Sequence, residues 1–228
     1  MIVNRNKFYS GLGLLSAFTI VLVIIFMPIF NGQNGLSYLD SLYNTISKGS
    51  AYYIPALKEE NQAYLGQSIQ ISLPTTDEQQ RIETAALFTR GGARVELEGS
   101  SLNIHGDLGG ILASCLEDAD SMFNNQGEKV SRKYDYPERR VLYNWWTTLA
   151  AVDKALKKQK KFSEAKFIGL VLKKAVECAY NYYGIETQKI SDQYGLVILS
   201  LVFYVVYTLW YGFAIMNLFE GLGLRLDH

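Results

Sequence analysis

The stretch FYSGLGLLSAFTIVLVIIFMPIF, residues 8–30, has a counterpart near the other end of the chain, QYGLVILSLVFYVVYTLWYGFAIMNLF, residues 193–219, and neither holds a charged side chain. Each exceeds the roughly 20 apolar residues that cross the hydrocarbon core of a bilayer. The pair predicts an α+β membrane-anchored protein: residues 1–7 cytoplasmic, a first transmembrane helix over 8–30, a domain over 31–192, a second transmembrane helix over 193–219, and a cytoplasmic tail over 220–228.

The first stretch reads as an uncleaved signal anchor, with a cleaved signal as the lesser alternative. A secretory signal has a shorter apolar region and a small-residue cleavage site, and Pro28-Ile29-Phe30-Asn31 does not form one. Orientation follows from basic residues. Arg5 and Lys7 precede the first span, Arg225 follows the second, and Lys48 is the one basic residue between Asn31 and Ala56. The positive-inside rule then places both ends in the cytoplasm and residues 31–192 outside. The expected location is a bacterial inner membrane with an extracytoplasmic, periplasmic domain.

Lys plus Arg number 22 and Asp plus Glu number 22, a formal net charge of zero. That balance gives no electrostatic reason to expect nucleic acid as a partner. The domain is long enough for one hydrophobic core.

Periodicity lays out that domain. Asn31 to Gly35 is a turn, and Leu36, Leu39, Leu42, Tyr43 and Ile46 recur at helical spacing. A short helix follows from Pro55 to Leu65. Ile69, Ile71 and Leu73 then alternate with Ser68, Gln70 and Ser72, a half-buried strand ending at Pro74. Thr75–Glu78 and Thr76–Gln79 have capping-box spacing and open a helix to Arg90. Val95 and Leu97, then Leu102 and Ile104, alternate with polar residues about a turn at Gly99-Ser100, predicting a hairpin with one apolar face. A helix over 110–123 completes the order strand, helix, strand, strand, helix: a small sheet with helices on its apolar face.

Residues 124–137 read as a polar loop. Beyond them the stripe Val141, Leu142, Trp145, Leu149, Val152 and Leu156 and a second helix over 164–183 predict a helical hairpin layer. The pair resembles one tetratricopeptide-type hairpin in its large-small pattern; unrepeated, it counts as a packing motif.

Candidate sites are few. His105 and Asp107, with Gly109 and Gly110 at a helix start, form a candidate anion or ligand loop, but the loop lacks the spacing and Lys of a phosphate-binding loop. A tight connection accounts for the glycines equally well. Glu117, Asp118 and Asp120 read as a solvated acidic face, without the spacing of a calcium loop. No catalytic residue, metal ligand set or cofactor motif is expected. Cys115 and Cys178 are a candidate disulfide in an oxidising compartment; otherwise each is a small buried apolar residue. Trp145 belongs to the core stripe, and Trp146 lies to one side as a candidate partner anchor. Tyr204, Tyr207 and Tyr211 lie along one face of the second span, with Tyr204 and Tyr207 near its middle, away from the interfaces that aromatic residues favour. They are expected to meet protein, either the first span through Gly13 and Ala17 or another subunit.

The leading functional expectation is a non-catalytic membrane-anchored subunit or scaffold of an envelope complex. Its partners would be the membrane and other membrane-protein subunits or further copies of the chain. An extracytoplasmic ligand sensor is the alternative, and with nine residues after Phe219 it would signal through a separate output protein. A metal-dependent enzyme around His105, Asp107 and Glu117 is the third class.

Overall fold

The computed structural model describes residues 2–75 and 77–224. Thr76 and Arg225 therefore lie outside the described residues. The chain forms two compact units, one from its two ends and one from Ser47–Glu186.

In the first unit, helix α1 (Arg5–Phe26) packs antiparallel to α10 (Ile190–Gly221). Both are long and apolar enough to cross a membrane. Asn4 caps α1 by accepting the Lys7 amide at 3.2 Å. The helix stops at Phe26, short of Phe30, because Met27 takes the extended conformation that a following proline imposes. The amides of Val3 and Asn4 donate to the Gly221 carbonyl at 2.9 and 3.1 Å, and Lys7 pairs with Glu220 at 3.1 Å. The start of α1 and the end of α10 thus lie together.

The close approach between these helices corrects the expectation for Gly13. Gly13 opens onto free space, whereas a Cβ at Gly11 would stand 2.6 Å from the Leu218 nitrogen and 2.9 Å from the Ala214 oxygen. Gly11, Leu14 and Phe18 share one side of α1: the Leu14 carbonyl accepts the Trp210 indole N–H at 3.1 Å, and Phe18 stacks on Tyr207 with ring centres 4.2 Å apart. Helix α2 (Gly35–Ser50) begins with Asn34 accepting the Ser37 amide.

The second unit is α+β. Helix α3 (Ile54–Glu60) runs into a 3-10 turn (Asn61–Tyr64), then strand β1 (Ser68–Pro74), α4 (Glu78–Arg90), β2 (Arg94–Glu98), β3 (Ser101–Asp107) and α5 (Leu108–Phe123). The sheet is antiparallel in the order β1-β3-β2, with Ile71 opposite Ile104 and Val95 also opposite Ile104. The strand-helix-strand-strand-helix order read from periodicity is the order observed. Asp77 caps α4 by accepting the Gln79 amide, where the sequence pointed to Thr75; the Thr76 box lies outside the described residues.

Ile69, Ile71, Leu73, Leu102 and Ile104 bury one face of the sheet against α4, α5 and α7 (Glu138–Lys158). Val95 is half-buried there, while Leu97, expected on the same covered face, is 52 % exposed because β2 is the sheet's edge. The predicted α7 stripe is buried throughout, from Val141 to Leu156. The predicted polar loop after α5 contains a helix, α6 (Gly127–Tyr134), whose Val130 and Tyr134 reach the core. Its two buried side chains among charged residues gave too sparse an apolar pattern to register as a helix. The final helix of this unit is α8 (Phe162–Val171), a π-turn (Leu172–Glu177) and α9 (Cys178–Tyr182) in succession.

Candidate functional site

Consecutive residues of α7 diverge. Trp145 turns inward and Trp146 outward, because one residue rotates a helix by about 100°. Trp146 is 41 % exposed, stacks near Tyr143, and donates its indole N–H to Glu177 Oε1 at 2.8 Å. Tyr143, Trp146, Tyr180 and Asn181 rim a groove of about 330 Å³ whose floor is the fully buried pair Leu142 and Val176. One wall belongs to the π-turn, and such interruptions of a helix recur at functional sites. Trp and Tyr are enriched among the residues that carry most of the energy of protein interfaces.

The sequence pointed to Trp146 alone. Tyr143 shares its helical side at i−3, which could have been read, but Glu177 and Tyr180 come from another helix.

A second concavity of this unit is different in kind. The outer face of the sheet forms a polar trough of about 1060 Å³ lined by Gln70, Ser72, Arg94, Glu96, Asn103 and His105, with Gln159 and Lys161 at one side. His105 faces this trough and is exposed. Asp107 does not join it in an anion loop, since its Oδ2 already accepts the Gly110 amide at 2.9 Å as the cap of α5. Gly109 serves packing: a Cβ there would stand 2.5 Å from the Leu65 nitrogen, and its carbonyl accepts Asn61 Nδ2 at 2.8 Å.

The acidic trio separates around α5. Glu117 is exposed, and Asp120 accepts Tyr52 at 2.6 Å and Lys58 at 2.5 Å. Asp118 is the correction to a solvated face: it is 2 % exposed and accepts Lys133 at 2.7 Å, Tyr134 at 2.6 Å and Trp145 at 2.9 Å. Burial and the neighbouring Asp118 carboxylate push the Tyr134 hydroxyl far above its ordinary value. Among the described residues no group of acidic, His and Cys side chains is placed to hold a metal.

Two more buried ionic groups escaped the sequence reading. Glu83 accepts Arg140 at 2.5 Å, Asn144 at 2.8 Å and Gln79 at 2.9 Å. Burial raises its pKa, but these hydrogen bonds and the Arg140 charge outweigh that and hold it below the ordinary carboxylate value. Lys48 is nearly fully buried and donates to the carbonyls of Tyr182 and Ile185 and to Asn125 Oδ1, with its pKa lowered by burial. Apart from Gln79, one helical turn before Glu83, residues far apart in sequence supply the partners, so no local pattern announces them.

Cys115 and Cys178 are free thiols, which corrects the candidate disulfide. Cys115 is enclosed in the core and burial pushes its thiol well up; Cys178 Sγ turns to the Lys173 carbonyl at 3.4 Å. The three tyrosines of α10 do not act alike. Tyr207 and Tyr211 flank Phe18, at 4.2 and 5.2 Å between ring centres, while Tyr204 is 68 % exposed. The Tyr207 hydroxyl is buried with no hydrogen-bond partner among the described residues, so stacking replaces the expected bond.

Compared with protein-family models, curated proteins and solved structures, the chain finds no match in any of the three.

Proposed function

We propose that this protein is a non-catalytic, membrane-anchored subunit or scaffold of a bacterial envelope complex. In this reading α1 and α10 span the inner membrane, both termini are cytoplasmic, and Ser47–Glu186 lies outside and recruits a partner protein. The observation that carries it is Trp146: an indole fixed by Glu177, stacked near Tyr143, and exposed over a groove floored by Leu142 and Val176. A partner suited to it inserts an apolar side chain between Trp146 and Tyr180, within reach of the Glu177 carboxylate.

The test is co-purification of the full chain in mild detergent. A stoichiometric partner retained by the parent and lost from Trp146→Ala supports the proposal. A partner retained equally by both sinks the groove as the docking point.

The polar trough favours one second reading, an extracytoplasmic sensor of a small polar ligand. It predicts that such a ligand raises the unfolding temperature of the protein and that Asn103→Leu abolishes the rise.

A further inference from the structure

Strand β2 is an edge of the sheet that no other strand covers among the described residues. On the central strand β3, alternate residues direct their main-chain groups to opposite neighbours. On β1, the carbonyls of Ser68 and Gln70 point away from the sheet, where Lys161 Nζ and Gln159 Nε2 donate to them at 3.3 and 2.9 Å. The peptide groups of Ile69, Ile71 and Leu73 consequently face Gly106, Ile104 and Leu102. Residues 101, 103 and 105 of β3 are left for β2, where they meet Glu98, Glu96 and Arg94. The main-chain groups of Val95 and Leu97 therefore point out of the sheet.

The two edges are treated differently. Side chains from the α7–α8 turn cap the β1 edge. On β2 no residue that faces the core side carries a charge, the device by which edge strands are commonly kept apart. Its core-side residues are Val95 and Leu97, and Leu97 is half exposed.

The sequence Arg94-Val95-Glu96-Leu97-Glu98 is nearly self-complementary when turned on itself. One antiparallel register pairs all five residues of two such strands, and it is centred on Glu96. In it Val95 of each copy exchanges main-chain hydrogen bonds with Leu97 of the other, and those two apolar side chains cover one another. Arg94, with 80 % of its side chain exposed, meets Glu98 of the second copy at both ends. The two Glu96 carboxylates oppose at the centre, each beside its own Arg94 at 3.0 Å. We propose that the protein forms a two-fold dimer through β2, joining two three-stranded sheets into one of six strands. This inference is independent of the Trp146 groove.

The register fixes the experiment. In the full chain carrying Cys178→Ser, with Cys115 enclosed in the core, Glu96→Cys should form an intermolecular disulfide under mild oxidation, because a centre pair without mutual hydrogen bonds brings its Cβ atoms to about 5 Å. Glu98→Cys and Arg94→Cys, each displaced from its own copy across the two-fold axis, should cross-link at least tenfold more slowly. Adding Arg94→Glu should cut the Glu96→Cys cross-linking rate about tenfold, and adding Glu98→Arg to that variant should restore it. Equal rates at the three positions, no disulfide at position 96, or no rescue by the charge exchange overturns the proposal.

Discussion

Trp145 donates its indole N–H to the carboxylate of Asp118 at 2.9 Å, and both side chains are almost entirely withdrawn from solvent. The bond joins α5 to α7, and Lys133 and Tyr134 bring α6 to the same two oxygens. Three helices thus converge on one buried charge.

Asp118→Ala should destabilise the protein by about 3–5 kcal/mol, since it leaves the buried Tyr134 and Trp145 donors unpaired and takes the carboxylate from the part-exposed Lys133. Trp145→Phe keeps most of the packing and loses one charge-assisted bond, for a cost of about 1.5–3 kcal/mol. Equilibrium urea unfolding in detergent measures both. A loss below 1 kcal/mol for Asp118→Ala would show that the network contributes little.

The Glu83 cluster sets a pH dependence. Its folded pKa lies below the ordinary 4.5, so its contribution is fully present above pH 4.5 and disappears as pH falls through the folded value. Unfolding temperature should therefore drop below pH 4.5. In Glu83→Gln that drop should be shallower, with lower stability at pH 7. Parallel acid profiles for the two proteins would remove Glu83 as the cause.

Trp146→Ala should act on binding and hardly on folding. The side chain is part-exposed, so the expected stability loss is about 1 kcal/mol, whereas an anchor of this kind contributes 2 kcal/mol or more to a complex, roughly a thirtyfold change in Kd. Unfolding and partner titration on the same preparation separate the two. A larger effect on folding than on binding contradicts the anchor role.

For the α1–α10 pair, Gly11→Val should be costly and Gly13→Val nearly neutral. A Cβ at Gly11 overlaps the α10 backbone and one at Gly13 meets nothing. Overpacking of that kind costs about 1–3 kcal/mol. Tyr207→Phe should not weaken the pair, because the hydroxyl has no partner among the described residues, while Tyr207→Leu loses the stack on Phe18. Thermal unfolding in detergent ranks the four variants, and a neutral Gly11→Val would place the helix contact elsewhere.

The proposed topology is best tested at Ser100, an exposed residue of the two-residue hairpin turn. Gly127 is unsuited to a probe, since it is buried against Tyr183 and Glu138. In a Cys178→Ser background, Ser100→Cys should react with a membrane-impermeant maleimide in intact cells. Reaction only after lysis would reverse the orientation.

Element type was legible wherever one periodicity ran uninterrupted. Ile69-Ile71-Leu73 and the stripe from Val141 to Leu156 each expose one face to a core, and that demand is written in the spacing of apolar residues. Helix α6 was missed because Val130 and Tyr134, its buried side chains, stand among charged neighbours. Asp118 was misread for the converse reason: a carboxylate on an otherwise apolar helix looks solvated until Lys133, Tyr134 and Trp145 arrive from later elements.

By itself, then, the sequence determined two helices long and apolar enough to cross a membrane, the strand-helix-strand-strand-helix order and the α7 core stripe, all consequences of local composition and period. Only the tertiary structure decided which polar groups are buried, that Gly11 and not Gly13 meets α10, that the cysteines are free thiols, and that side chains cap the β1 edge of the sheet. Those outcomes depend on side chains from distant segments meeting at particular rotations and registers, and a difference of one residue reverses the face each presents.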